Sequence, residues 1–310
     1  MSLRVLAFSD LHLTGQDDFD IDPLERNIES RSAEEQIDAF LSLGDVVDNI
    51  PRDREQGKSN TQEDIDTGRN FFGGLRDISE RHGIPTYAVP GNHDYDIFDE
   101  MISAEDGRQM TGIHDARGHS TISHDSDRYG LVGAETQSFD IGPEIDPQKY
   151  GIDDLDQLVE HMYHLATVGD SIEQSADALG ISAGQYQDFY HDTERFLESF
   201  NRLEDAFESV YEEVNRDNTV FISHIAPFNT ELDEKSIGRE HSAHQGSIAH
   251  RAALDMFMPS IALNGHHDYH EIDYFSGDEN YGSAMYAIGL DEATPTEIVL
   301  DGSTVGIEQR

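Results

Sequence analysis

Three short clusters of metal-ligating residue types, each placed directly after an apolar run, constrain this chain more than any other feature. They are Asp10-Leu11-His12, Gly44-Asp45-Val46-Val47-Asp48 and Gly91-Asn92-His93-Asp94. The runs before them, Arg4 to Phe8, Ile37 to Leu43 and Thr86 to Val89, read as strands, and the first has the continuous apolar pattern of a strand covered on both faces. Helical segments separate them. Leu24 to Gln36 is charged with sparse apolar spacing; Asp64 to Arg81 carries Ile65, Phe72, Leu75 and Ile78 at helical intervals and stops at His82-Gly83. Alternating strands and helices predict a parallel sheet. In open α/β sheets the loops at the carboxyl ends of the strands bind ligands, and the three clusters fall in those loops.

The residue types are carboxylates, an amide oxygen and imidazoles, which suit hard to intermediate divalent cations. Two further strand exits in the second half carry histidine: Ile222-Ser223-His224 and Leu263-Asn264-Gly265-His266-His267-Asp268. Two metals about 3.5–4 Å apart need a bridging carboxylate and further ligands on each side, with positions left open for water and substrate. Asp45 is the natural bridge, because Gly44 lets the backbone turn as the carboxylate is delivered.

The pattern changes after about Phe139. Gly142-Pro143-Glu144-Ile145-Asp146-Pro147 is a turn-rich linker, and Ile152 to Val214 shows helical spacing (Phe189, Phe196, Phe200, Leu203, Phe207, Val210) with a break at Leu179-Gly180. Strand patterns occur before it at Tyr129 to Ala134 and after it at Val220 to Ser223, Ile261 to Leu263, Ser283 to Ile288 and Thr296 to Leu300. The expected organisation is a split core, residues 1–141 and 217–310, with a helical insertion or cap over 142–216.

Charge bounds the partners. Of 310 residues 64 are acidic and 20 basic, a formal net of −44 spread along the whole sequence. Self-repulsion of this size opposes compaction, whereas about 1 M salt screens it beyond ~3 Å. A halophilic chain that folds in multimolar salt is therefore expected. Such a surface also disfavours nucleic acid and anionic membranes. The absence of cysteine excludes disulfides, thiolate metal sites and a cysteine nucleophile. The first apolar stretch is too short for a secretion signal, and no run approaches the ~20 apolar residues of a membrane span. A cytoplasmic protein is expected; the sequence is silent on oligomeric state.

Asp10-x-His12, Gly44-Asp45-x-x-Asp48, Gly91-Asn92-His93-Asp94, the lone His224 and Gly265-His266 together resemble the motif series of the calcineurin-like metallophosphoesterases. The segment Ser223-His224-Ile225-Ala226-Pro227-Phe228-Asn229-Thr230-Glu231-Leu232-Asp233, with Gly246-Ser247 and Arg251 downstream, resembles the Icc-related branch. The resemblance implies a four-layer α/β/β/α sandwich. It also implies hydrolysis of a phosphate ester, a phosphodiester by analogy with that branch, through in-line attack of a metal-bridging water or hydroxide. A phosphomonoesterase, a nuclease on the same core and a metal-binding scaffold are the alternatives. Carried over by position, Asp10 and His12 hold the first metal, Asp45 bridges, and Asn92, His224 and His266 complete the second. His93 lies by the phosphate, Asp94 orients His93, and Asp48 stands behind the ligands. Two divalent ions are implied, Mn2+ first, with Fe2+, Zn2+ or Mg2+ as alternatives, together with a small phosphate-ester substrate.

One position departs from the family, which usually shows Gly-His-x-His. Here the run is Gly265-His266-His267-Asp268, and Asp268 stands where the last histidine binds the first metal. Asp268 as an oxygen ligand, His267 or His270 through a shifted loop, and a weak or absent first metal are the competing readings. Outside the motifs, His161 and His164 share a helix face that reads as solvated, and two further groups remain: His241, His244 and His250 between the second-half motifs, and His114, His119 and His124 near Arg117 and Arg128. Loop positions near the substrate are open to both groups.

Overall fold

The computed structural model describes residues 2–15, 21–32, 35–49, 61–104, 106–124, 127–136, 138, 141–236, 242–266, 271–274, 284–287, 295–301 and 304–309. Two six-stranded sheets form its centre. In the first, β1 (Leu3–Phe8), β2 (Ala39–Ser42), β3 (Thr86–Ala88) and β4 (Ile113–Asp115) run parallel. β13 (Thr296–Asp301) pairs antiparallel with β1, and β14 (Thr304–Gln309) closes that edge. In the second sheet β6 (Asp127–Gly133), β7 (Thr219–Ser223), β10 (Ile261–Asn264) and β12 (Ala284–Ala287) are parallel. β5 (Gly118–His124) and β11 (Glu271–Tyr274) flank them antiparallel. A separate hairpin joins β8 (Glu234–Ser236) to β9 (Ser242–His244).

The period-two alternation of β1 sets the layers. Leu3, Val5 and Ala7 point between the sheets, where they meet Leu41, Leu131, Val220, Ile222, Ile261 and Leu263. Leu6 and Phe8 point outward onto α2 (Thr61–His82) and pack with Phe71, Phe72, Leu75 and Ile78. α1 (Asp22–Glu29) and α3 (Phe98–Met101) complete that helical layer through Leu24, Phe98 and Met101.

The opposite layer comes from α4 (Pro147–Tyr150), α5 (Leu155–Thr167), α6 (Ile172–Ala178), α7 (Tyr186–Tyr211) and α8 (Ile248–Phe257). Phe189, Phe196, Phe200 and Phe207 of α7 share one apolar cluster with Val132, Phe221 and Ala262 on the outer face of the second sheet. Phe207 stacks on Phe257 of α8 at 4.7 Å and on Phe221 at 6.0 Å. The four layers are therefore α/β/β/α, as the family resemblance implied, and the helices between 147 and 211 are part of the second outer layer. The Leu179-Gly180 break falls just past α6, where Gly180 turns at φ 70°. α1 is shorter than the charged segment suggested, ending at Glu29.

Candidate metal centre

The motif loops leave the sheets at the same edge and are zipped together beyond it. Asp10 N donates to the Gly44 carbonyl (3.1 Å), His12 N to the Asp45 carbonyl (3.0 Å) and Leu13 N to the Val46 carbonyl (2.9 Å). This pairing twists the ligand residues out of strand geometry. Asp10, His12, Asp45 and His266 have φ of 55°, 46°, 52° and 64°, four of the six non-glycine residues with positive φ among those described. L-residues hold that conformation at a cost and keep it where surrounding contacts impose it, commonly at functional sites.

Glycine permits the close approach of the loops. A Cβ on Gly91 would land on the Asp45 carboxylate, and one on Gly265 on Ser9 Oγ and beside Asp10 Oδ2. Gly91 and Gly265 thus stand where the Asp45 carboxylate and the Ser9 hydroxyl fill the space of a side chain, and a Cβ on Gly44 would meet the Gly91 backbone.

Asp45, 1% exposed, is the centre of the arrangement. Its Oδ1 accepts from the backbone N of His93 at 2.8 Å, and its Oδ2 lies 3.2 Å from His224 Nε2 and 3.9 Å from the Nε2 atoms of both His12 and His93. His224 is fully buried. Its Nδ1 donates to the Leu43 carbonyl (2.9 Å), which turns Nε2 toward Asp45 and toward Asn92 Oδ1 at 2.9 Å. Asp10 Oδ2 accepts from Ser9 Oγ and from the backbone N of His266 (2.8 Å), while its Oδ1 lies 4.0 Å from His12 Nε2. The rings of His224 and His266 are 5.2 Å apart, those of His12 and His93 4.6 Å.

Two groups of donors result, each with ligand atoms within 4.8 Å of one another: Asp10, Asp45, His224 and His266, and His12, Asp45 and His93. Donors bound at about 2.0–2.2 Å around one ion lie ~3–4 Å apart, so both groups are near the size a divalent cation requires. The donor chemistry also fits. With its Nδ1–H spent on Leu43, a neutral His224 would aim an Nε2 lone pair at two oxygen acceptors. A proton or a metal ion at Nε2 makes that geometry favourable.

Ionisation follows from these contacts. Burial pushes the His224 imidazole down, but facing Asp45 outweighs it and raises the group to about 9. Burial raises the Asp45 carboxyl, and His224 more than offsets this, carrying it well below the usual carboxylate range. Burial raises Asp10 and lowers His93, the latter against the pull of Asp45. Protons at these sites are what a divalent cation would displace.

Asp10, His12, Asp45, Asn92, His93, His224 and His266 thus come together at one edge of the sandwich. His93 stands within the second donor group beside His12. The two remaining carboxylates depart from the roles the resemblance implied. Asp48, not Asp94, meets His93, accepting from its Nδ1 at 3.0 Å, and also lies 3.7 Å from His12 Nδ1. Asp94 does not orient His93. It is fully buried, and its two oxygens accept from Gly91 N (2.6 Å) and Val46 N (2.8 Å), which clamps the second loop to the third. Adjacent residues in this tight turn point apart, so sequence adjacency to His93 was misleading. Burial, followed by the charge of Asp45, pushes Asp94 up to about 7. Asp268, His267 and His270 lie outside the described residues. Ser9 and the Leu43 carbonyl, which position Asp10 and His224, carried no sequence signal beyond standing next to motif residues.

Comparison with known proteins places this arrangement. Residues 3–291 match the family of calcineurin-like phosphoesterases. No curated protein sequence matches the chain. One crystal structure aligns over 100% of this chain and 99% of its own with TM-score 0.54 and 16% identity, a likeness of fold. A dimetal phosphatase from Danio rerio aligns over 99% and 98% (TM-score 0.47, 12% identity). A phosphopantetheinyl hydrolase from Mycobacterium tuberculosis aligns over 93% and 90% (TM-score 0.45, 14% identity). The family match spans both halves of the sandwich and every motif loop up to His266, and so the chain belongs to the calcineurin-like phosphoesterases, metal-dependent hydrolases of phosphate esters.

Proposed function

We propose that the protein hydrolyses a small-molecule phosphodiester with two divalent cations held on either side of Asp45. The observation that carries this reading is that Asp45 alone belongs to both donor groups. Asp10, which lies with His224 and His266 and not with His12 as the resemblance implied, would hold one ion together with them and Asn92; His12 would hold the other, with Asp268 as a further oxygen ligand. Bound there, the ions would acidify water and neutralise charge on the phosphoryl oxygens. Mn2+ suits the mixed oxygen and nitrogen set, with Fe2+, Zn2+ and Mg2+ as alternatives.

The remaining chemistry belongs to the chain. His93 sits at the rim with a side chain 16% exposed, its Nδ1 fixed on Asp48. That pairing leaves Nε2 facing Asp45 at 3.9 Å and supports the imidazolium that can stabilise phosphate charge or hand a proton to the leaving alcohol. Buried Asp94 keeps the loops in register and takes no part in proton transfer. Preference for a diester rests on the resemblance of Ser223–Asp233 to the Icc-related branch, and a salt-rich cytoplasm on the net charge of −44.

Metal analysis of the purified protein, followed by Mn2+-dependent assays in concentrated KCl on bis-p-nitrophenyl phosphate and p-nitrophenyl phosphate, tests the reading. Faster turnover of the diester is expected. Faster turnover of the monoester would make the protein a phosphomonoesterase. Absence of both metal and hydrolysis would favour a scaffold.

A further inference from the structure

Asp233 is built into the fold by the same devices as Asp45. It is 2% exposed. Its Oδ1 accepts from Thr230 N (2.9 Å) and His244 Nδ1 (2.7 Å), and its Oδ2 from Asn229 N (3.0 Å) and Gly246 N (3.1 Å). Four donors fill the lone-pair sites of a carboxylate. A Cβ on Gly246 would meet the Ala226 carbonyl and Asp233 Oδ2, as one on Gly91 would meet Asp45. Asn229 has φ 57° and is one of two non-glycine residues with positive φ outside the metal centre, among those described. Such strain persists where surrounding contacts impose it, commonly at functional sites.

This knot begins at the metal centre. His224 directly follows β7, and two residues on, within ~7 Å of chain, the Ala226 carbonyl accepts from Ser247 N (2.9 Å). Phe228 N donates back to the Ser247 carbonyl (3.0 Å). The segment then runs to the short turn Glu231–Asp233, which packs against β11. In the sheet β10 and β12 lie between β7 and β11, so the chain spans roughly 14 Å. It therefore crosses β10, the strand that delivers His266. Ala226, Phe228 and Leu232 turn into the outer apolar cluster. His244 stands on the β8–β9 hairpin, which belongs to neither six-stranded sheet. Its ring lies 5.7 Å from that of Phe228, and its side chain is 24% exposed.

The pair repeats the pairing of His93 with Asp48, an imidazole held at Nδ1 by a carboxylate. A ring pinned on one side and backed by an aromatic side chain, yet reaching solvent, is a preorganised contact surface. His244 belongs to neither donor group. It lies on the second-sheet side of the rim, where it can meet a part of the substrate away from the phosphorus. Given the proposed phosphodiester hydrolysis, on which this assignment rests, we propose that His244 contacts the ester arm that stays on the phosphate and so sets the preference for diester over monoester. Asp233 is its positioning residue. A contact of this kind is equal in the ground and transition states, and its loss appears in KM and not in kcat.

His244→Asn tests this, because the amide of asparagine keeps a donor for Asp233 near the place of Nδ1 and removes the outer half of the ring. Kinetics are measured on Mn2+-loaded protein in concentrated KCl with bis-p-nitrophenyl phosphate and p-nitrophenyl phosphate. His244→Asn should raise KM for the diester by about tenfold or more, change its kcat by less than about threefold, and leave the monoester within about twofold. Asp233→Asn, which frees the ring, should give the same split; if it does not fold, His244→Asn decides alone. Unchanged KM for the diester, equal losses on both esters, or Mn2+ content below that of the wild type in His244→Asn would overturn the assignment. If the wild type does not hydrolyse the diester, the proposed function fails, and calorimetric binding of bis-p-nitrophenyl phosphate decides His244 on its own. Binding weakened about tenfold in His244→Asn would support the contact; equal binding by both proteins, or by neither, would overturn it.

Discussion

Asp48 accepts a hydrogen bond from His93 Nδ1 at 3.0 Å across a separation of 45 residues, and so fixes the imidazole at the rim of the metal centre. The neighbouring carboxylate, Asp94, accepts from two backbone amides instead. The two should respond to mutation in opposite ways. Asp48→Ala, at a side chain 39% exposed, should change stability by no more than about 0.5 kcal/mol. It should lower kcat by roughly 10²-fold or more, as expected for loss of a group that supports proton transfer. Asp94→Ala strands two buried amides and should cost about 1–3 kcal/mol for each in urea unfolding. Equal destabilisation by both changes would refute this division.

Gly91 lies against Asp45 so closely that any side chain displaces the carboxylate. Gly91→Ala should therefore lower activity by about 10²-fold, the usual consequence of misplacing a reacting group by roughly 1 Å. Stability should fall by about 1–3 kcal/mol from overpacking. Steady-state kinetics at saturating metal, set beside thermal unfolding, check both; wild-type activity in this variant would mean that Asp45 is not held where the structure has it.

His250 gives the fold an acid-sensitive point away from the ligands. Burial pushes it down to about 4, partly countered by its Nδ1 bond to the Ile225 carbonyl (3.1 Å). Unfolded, the ring titrates near 6.5, so the neutral folded form contributes stability that is complete above that pH and is lost as pH falls through about 4. The loss should reach about 3 kcal/mol. Denaturant titrations between pH 7 and pH 4 should show this slope in the wild type and a flatter one in His250→Phe; identical slopes would contradict it.

Net charge sets a further expectation. With 64 acidic residues against 20 basic, raising KCl from 20 mM to 2 M should raise Tm by roughly 10 °C or more, since added ions screen self-repulsion. An unchanged Tm would remove the case for a high-salt habitat.

What could be read from the sequence follows burial. β1, β2, β3, β7 and β10 are covered on both faces, so they appear as apolar runs ending in ligands. β5, with the sequence Gly-His-Ser-Thr-Ile-Ser-His, is an edge strand that places Ile122 in the inter-sheet core and leaves polar side chains around it. No periodic signal marks such a strand, and β4, at the other sheet's edge, lacks one too. The phenylalanines of α7 announced a helix but not its partner. Their packing on Phe221 and Phe257 depends on contacts distant in sequence. At the site, residue types and spacing identified the residues that come together, whereas which carboxylate meets His93 depends on where Asp48 and Asp94 point, which spacing does not encode.

In the proposed mechanism one carboxylate, Asp45, joins two metal sites. The direct measurement is metal content per chain, by elemental analysis after loading with Mn2+ and desalting into concentrated KCl, for the wild type and for Asp45→Ala. Two ions per chain are expected in the wild type and fewer than about half an ion in the variant, because both donor groups lose their shared ligand. Two ions retained by Asp45→Ala, or a wild type that never takes up more than one, would contradict it.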